Sequence, residues 1–209
     1  MNYYQSNYSP NTKFSIFPPA VKHLLVINVI FFIALFTPGI GDYLFRYGAL
    51  WPVESQYFEP WQLITYMFLH GGLGHIFFNL FALWIFGQSI ENFWGTKRFT
   101  IYYFLTGIGA AVLHMVIGGG GAPTIGASGA VFGILLAFGM MFPDRYIMLL
   151  IPPVPIKAKY FVAIFGAIEL FYGVTGTRSG IAHFAHLGGM VVGYLLIRYW
   201  GMKGEEEYY

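Results

Sequence analysis

Four polar side chains stand in strongly apolar stretches of this chain, where a polar group is costly and often serves a function. One of them is Ser128, which lies in the run Gly126-Ala127-Ser128-Gly129. Small residues in such a run let backbones approach closely, and the start of a helix offers free N–H groups to a developing anion. Ser128 is therefore a candidate nucleophile, and a small-residue motif for helix packing is the alternative.

Two other apolar stretches carry the partners that a serine nucleophile requires. His75 and Asn79 are four residues apart, so on a helix they share one face and can both donate hydrogen bonds into one small volume. With His186 as base and Ser128 as nucleophile, these two side chains and the Ser128 N–H would stabilise an oxyanion. The set predicts a serine hydrolase. No suitably placed carboxylate completes a triad, so a Ser–His dyad is expected.

Small residues mark the helix faces that would bring these groups together. Gly189 and Gly193 follow His186 at i+3 and i+7, so they share its face and allow another helix to approach closely. The segment that begins with the serine has a matching small face in Gly133 and Ala137. Close packing of these two segments is therefore predicted.

The composition indicates the environment of these segments. Of the 209 residues, 57% are hydrophobic and only 10% are charged, and the mean hydropathy is +0.61. These values lie outside the usual range for a soluble domain, so a membrane protein that crosses the bilayer several times is predicted. A formal net charge of +2 gives no reason to expect a nucleic-acid partner, and the lack of cysteine excludes disulfides and thiolate metal sites.

Six apolar segments are each near the ~20 residues that a bilayer core requires. They cover roughly residues 21–38, 73–90, 99–117, 127–143, 159–175 and 180–199. The fold class predicted is an all-α membrane protein, a bundle of six transmembrane helices. The predicted division is a cytoplasmic N-terminal segment 1–20, a six-span domain 21–200 and a cytoplasmic tail 201–209.

The basic residues predict the orientation. If the N-terminus is cytoplasmic, only Arg46 and Arg178 of the eleven lysines and arginines lie outside. The second, fourth and sixth spans then begin at the outer face, which places His75, Ser128 and His186 at one depth. We expect a multi-pass protein, in the inner membrane of a bacterial cell, with both termini in the cytoplasm.

In this combination the residues resemble the rhomboid intramembrane serine proteases. The matching motifs, which stand in the family's order and spacing over roughly residues 20–200, are His75-x-x-x-Asn79, Gly126-Ala127-Ser128-Gly129 and His186-x-x-Gly189-x-x-x-Gly193. The resemblance implies a six-span bundle that cleaves membrane-anchored protein substrates, and we expect the cut near the outer membrane boundary. It also implies Ser128 as nucleophile, His186 as base, His75 and Asn79 in the oxyanion hole, and neither metal nor cofactor.

Two positions depart from the family's pattern. Gln62 follows Trp61 where many relatives have a Trp-Arg pair, so the hydrogen bonds of that arginine need another donor. Phe132 stands one turn after the nucleophile, where tyrosine is frequent. At i+4 it shares a face with Ser128, from which it would support the His186 ring by stacking.

Other ionisable residues have several interpretations. Glu91, at the cytoplasmic end of the second span, is expected to fix the following loop onto the next helix. Glu169, within the fifth span, is interpreted as a paired or water-linked structural group, with part of a substrate gate as the alternative. His183 is expected near the membrane surface, in reach of substrate, and His114 as a satisfied core histidine. The sequence leaves the roles of Glu169 and His183 open.

The fourth span is short. Ser128 to Pro143 measures about 24 Å as a helix, less than the ~30 Å hydrocarbon core. Its first residue is therefore predicted below the outer surface, in a cavity that water can enter, beneath a glycine-rich roof at 118–126.

Other classes fit the sequence less well. Gly39-Ile40-Gly41-Asp42 imitates a motif of aspartyl intramembrane proteases, but the only other aspartate, Asp144, is predicted at the opposite membrane face. The zinc motif His-Glu-x-x-His is absent, which leaves a three-histidine metal site from His70, His75 and His186 as a remote alternative. The alternative from a different class is a non-catalytic rhomboid-like membrane chaperone or binding protein. Such relatives lose the serine or the histidine, whereas this chain has both.

Overall fold

The computed structural model describes residues 14–117, 121–149, 152–176, 182–202 and 204. These residues form α1 (Pro19–Leu35), α2 (Gly41–Gly48), α3 (Gln62–Thr65), α4 (Leu73–Trp94), α5 (Thr96–Ile117), α6 (Ser128–Met141), α7 (Ala158–Thr175) and α8 (His183–Tyr199). A 3₁₀ turn, Tyr66–Phe68, follows α3, and an antiparallel hairpin of β1 (Tyr146–Met148) and β2 (Pro155–Lys157) lies between α6 and α7. The predicted ends 1–20 and 201–209 are described only in part, and Arg178 lies outside the described residues.

The six long helices occupy the six predicted apolar segments, so the predicted membrane bundle is confirmed. Among the described residues, α4, α5 and α7 are long and apolar enough to cross a membrane, and α1 and α6 are shorter apolar helices. The chain is an integral membrane protein. The short helices α2 and α3 and the hairpin were not predicted.

A buried carboxylate joins three of these helices. Glu91 on α4 accepts the backbone N–H groups of Ala20 and Val21, both at 2.8 Å, and the hydroxyl of Thr96 at 2.7 Å. The two N–H groups lie in the first turn of α1, where no helical carbonyl accepts them and the helix dipole favours a negative charge. The predicted link to the next helix is therefore present through Thr96, and the same group also caps α1.

Gln62 organises the segment between α1 and α4. Its side-chain oxygen accepts the Trp51 N–H at 3.2 Å, and its amide donates to the Tyr57 carbonyl at 2.8 Å. The residue is fully buried. Gln62 thus makes local hydrogen bonds to the backbone at the position where many relatives of the resembled family have arginine.

Helix α6 is the centre of the bundle, with ten of its fourteen residues buried. It packs against α4, α5, α7 and α8. The contact with α8 is very close, because a Cβ atom at Gly189 would collide with the carbonyl oxygen of Gly129. Any side chain at Gly189 would therefore push α8 away from the first turn of α6, where Ser128 lies.

Two other small residues, Gly133 on α6 and Gly193 on α8, also lie close to a third helix, α5. A Cβ atom at Gly133 would lie 2.7 Å from the Cβ atom of Thr106 on α5. One at Gly193 would collide with the hydroxyl of Tyr102, also on α5. Helices α6 and α8 pack closely, as predicted, and Gly133 and Gly193 also make room for side chains of α5.

Candidate active site

The structure brings Ser128 and His186 together. Ser128 is the first residue of α6, and His186 is the fourth residue of α8. The serine Oγ lies 2.8 Å from Nε2 of the histidine, which is a hydrogen-bonding distance. As the first residue of its helix, Ser128 also has a backbone N–H that no carbonyl of α6 accepts.

The segment before Ser128 is fixed at several points. Thr124 exchanges two backbone hydrogen bonds with Leu50, at 2.9 and 2.8 Å, and its hydroxyl lies 2.8 Å from Nε2 of His114. The Gly126 N–H donates to the carbonyl of Tyr66 at 2.9 Å. His114 thus has a hydrogen-bonding partner in the segment that leads into α6.

Gly126 provides space for His75. Its φ of +127° is a conformation that side chains disfavour. A Cβ atom there would lie 2.7 Å from His75 Nε2 and 3.8 Å from Ser128 Oγ, so the imidazole and the hydroxyl border the same small volume. Nδ1 of His75 accepts the Gly71 N–H at 3.3 Å. In the neutral ring the proton is then on Nε2, the nitrogen that faces this volume.

Asn79 lies one turn further along α4 and is buried. Its amide donates one hydrogen bond to the backbone carbonyl of His75 at 2.9 Å, and its side-chain oxygen has no partner among the described residues. An amide group carries two N–H bonds, so one donor remains for another acceptor.

The Phe132 ring stacks on the His186 ring. The two centroids are 4.3 Å apart and the planes differ by 6°. This contact restricts rotation of the imidazole while leaving both of its nitrogens at the ring edge.

A carboxylate that the sequence reasoning did not place also reaches this site. Oε2 of Glu169, on α7, lies 2.9 Å from Nδ1 of His186 and 2.6 Å from Nδ1 of His183. The prediction that no carboxylate is suitably placed is wrong. His183, predicted near the membrane surface, is buried against this carboxylate. The sequence contains a pattern from which this cluster could have been predicted. His183 and His186 are three residues apart and share a helix face, and a glutamate lies in the preceding span.

The cluster of Glu169, His183 and His186 differs from the three-histidine metal site that the sequence left open. Among the described residues, the His, Asp and Glu side chains with ligand atoms close enough for one ion are Glu169, His183 and His186. The alternative set of His70, His75 and His186 is not assembled. The His70 ring instead meets the His75 ring edge to face, with centroids 4.9 Å apart.

The sequence is similar to known proteins over most of its length. A family model described as the Rhomboid domain matches residues 57–203. Rhomboid-like protein 11, chloroplastic, of Arabidopsis thaliana is 32% identical over 184 residues, which are 81% of this chain and 64% of that protein. The predicted resemblance is confirmed.

Two bacterial relatives are named as proteases. Rhomboid protease GluP of Bacillus subtilis is 33% identical over 141 residues, 65% of this chain and 25% of that protein. Rhomboid protease GlpG of Photorhabdus laumondii is 28% identical over 181 residues, 85% of this chain and 60% of that protein. This chain spans less than two thirds of the length of each of these three relatives.

Proposed function

This chain belongs to the rhomboid family, and we propose that it is an intramembrane serine endopeptidase. Its substrates would be membrane-anchored proteins, cut near the outer membrane boundary. The observation that carries the proposal is the 2.8 Å contact between Ser128 Oγ and His186 Nε2 at the start of α6. The relatives that are named proteases support the same activity class.

In the proposed mechanism, His186 Nε2 accepts the hydroxyl proton as Ser128 Oγ attacks the scissile carbonyl carbon. The carbonyl oxygen becomes an oxyanion, which the Ser128 N–H, His75 Nε2–H and the Asn79 amide stabilise. His186 then gives its proton to the leaving amine as the peptide C–N bond breaks. A water molecule, deprotonated by the same nitrogen, hydrolyses the acyl-enzyme and restores Ser128.

Other residues of the bundle hold the nucleophile, the base and the oxyanion donors at the required distances. Gly126 leaves room for His75 beside the nucleophile, and Gly189 permits the close contact of α6 with α8. Gly193 allows α8 to approach α5, and the stacked Phe132 holds the base.

The short central helix explains how water would reach the site. With 14 residues, α6 is about 21 Å long, whereas the hydrocarbon core is ~30 Å thick. We propose that Ser128 lies below the outer surface in a cavity open to water. Of the predicted glycine-rich roof at 118–126, residues 118–120 lie outside the described residues.

A substrate helix exposes its scissile carbonyl only after local unwinding. We therefore expect purified protein to cleave a single-span substrate that has Gly and Pro near its outer boundary. A matched substrate with Leu at those positions should be cleaved much more slowly, since the helix is then harder to open. Mass spectrometry of the products locates the cut. Cuts that fall in mid-bilayer leucine runs would contradict the proposed site of cleavage.

The proposed orientation has its own test, because the natural chain contains no cysteine. Glu54, before α3, and Lys97, at the start of α5, are both exposed. In right-side-out membrane vesicles, a membrane-impermeant maleimide should label the Glu54→Cys variant and label Lys97→Cys only after lysis. The reverse pattern would place the termini and the active site on the opposite sides.

Asn79→Ala tests the proposed oxyanion donor. Loss of one such donor typically costs about 10²–10³ in rate, and kcat should fall more than KM because the hydrogen bond strengthens in the transition state. Asn28→Ala is the matched control. Asn28 is also buried, and its amide also donates to the carbonyl four residues earlier, at 2.8 Å, but on α1. A wild-type rate in folded Asn79→Ala, or an equal loss in Asn28→Ala, would show that Asn79 is a packing residue.

A further inference from the structure

Glu169 places a negative charge beside the proposed base. Its side chain is 12% exposed, and its Oε2 atom lies between the Nδ1 atoms of His183 and His186, at 2.6 and 2.9 Å. A carboxylate within an apolar bundle is costly unless partners compensate for the lost hydration. Here both of those partners come from the first turn of α8, and one of them is the residue that contacts Ser128.

We propose that Glu169 is a positioning residue for His186, a role that rests on the proposed peptidase function. A carboxylate only accepts hydrogen bonds, so it favours the tautomer in which Nδ1 of His186 carries the proton. Nε2 then has a lone pair toward the Ser128 hydroxyl. When His186 takes the serine proton, the carboxylate stabilises the imidazolium that forms. Glu169 thus supports the Ser128–His186 pair through the imidazole and does not itself touch the reacting atoms.

The resting geometry shows how the two histidines share this carboxylate. Oε2 makes a hydrogen bond with His183, whereas Nδ1 of His186 is at contact distance without a hydrogen bond of acceptable angle. Contacts of catalytic groups are often misaligned in the absence of substrate and tighten as charge develops. A positive charge on His186 would draw the carboxylate toward it.

The distance between Glu169 and His183 favours a hydrogen bond between them over joint binding of a metal ion. Two ligands of one tetrahedral zinc ion, each bound at about 2.0 Å, lie about 3.3 Å apart. The oxygen of Glu169 and Nδ1 of His183 are only 2.6 Å apart, which is a short charge-assisted hydrogen bond.

The simpler alternative is that Glu169 only ties α7 to α8 through His183. A set of variants separates the two roles. Glu169→Gln keeps the shape of the side chain and removes its charge. His183→Leu removes the hydrogen bond between Glu169 and His183 on α8 and leaves the carboxylate beside His186. Thermal unfolding of each variant in detergent reports any loss of folding.

We expect Glu169→Gln to lower kcat by about 10- to 100-fold with KM nearly unchanged. This loss is smaller than the ~10⁴-fold fall in kcat that follows replacement of a well-aligned triad aspartate by asparagine. A fluorophosphonate should label Ser128 more slowly by a similar factor. The kcat of His183→Leu should fall at most about threefold, and the effect of Glu169→Gln should persist in the double variant. Equal loss in the two single variants, or a wild-type rate in Glu169→Gln, would overturn the positioning role.

A measurement on the unaltered protein is independent of whether these variants fold. In a ¹⁵N-histidine sample, the His186 signals, assigned by their absence in His186→Ala, should show a protonated Nδ1 and an unprotonated Nε2. The opposite tautomer would overturn the proposal. If the wild-type protein neither cleaves a substrate nor reacts with the fluorophosphonate, the peptidase function itself fails. Activity that does not depend on Glu169 leaves that function intact and removes only the positioning role.

Discussion

Ser128→Ala is expected to abolish cleavage of a membrane-anchored substrate. The substitution removes the only atom that forms the acyl bond in the proposed mechanism, and loss of a serine nucleophile lowers kcat by roughly 10⁵-fold or more. The change should leave the fold intact, because alanine favours a helix and α6 already begins at this residue. The measurement is product formation from a single-span substrate by the protein purified in detergent.

Ser89→Ala is the matched control for this result. Ser89 lies inside α4, and its replacement is chemically identical. It should retain wild-type turnover. Equal turnover in Ser128→Ala and the wild type would remove the protease interpretation. If neither the wild type nor Ser128→Ala cleaves, and both bind the substrate equally, the non-catalytic membrane chaperone or binding protein would be the better description.

The sequence predicted the elements well because their signal is local. Six segments of bilayer length stand out by hydropathy alone, and glycine or proline marks their ends. Helix α4, for example, ends at Gly95, whose φ of +81° suits glycine and whose N–H bonds to the carbonyl of Glu91. The predicted partners Ser128 and His186 likewise rest on a motif and on a shared depth, both of which can be read along the chain.

What the sequence did not predict depends on how one helix is rotated against another. Glu169 was visible as a glutamate in the fifth span, but only the rotation of α7 shows that its carboxylate faces α8. The contact of Gly133 with Thr106 of α5 was not predicted for the same reason, since a small residue indicates close approach without naming the helix that approaches. A hydropathy profile carries no information on either rotation.

The segment between α1 and α4 was difficult for another reason. With eight and four residues, α2 and α3 are much shorter than the apolar segments of bilayer length that the sequence reveals, and they were missed. One buried amide, that of Gln62, accepts a hydrogen bond from the Trp51 backbone N–H and donates one to the Tyr57 carbonyl. Such contacts are specific to one arrangement of the loop, and no periodic pattern encodes them.

His186→Ala is the second substitution for which nearly complete loss is expected. Without the imidazole, the Ser128 hydroxyl has no base at Nε2 and remains a weak nucleophile. Turnover should fall almost as far as in Ser128→Ala. The Ser128→Ala/His186→Ala double variant should lose little more, because residues of one catalytic unit are not additive. His23→Ala is the control, since His23 is an exposed histidine on α1, and it should retain wild-type turnover.

Labelling of the serine separates loss of the base from loss of the fold. A fluorophosphonate reacts with an activated hydroxyl, so it should modify Ser128 in the wild type and in His23→Ala but fail in folded His186→Ala.

The stacked ring of Phe132 would then face an empty space, yet α8 should still contact α6 through Gly189, whose backbone approach does not depend on the imidazole. Thermal unfolding near the wild-type temperature would confirm that contact. Labelling of folded His186→Ala at the wild-type rate would show that His186 does not activate the serine, and the 2.8 Å contact would then be structural only.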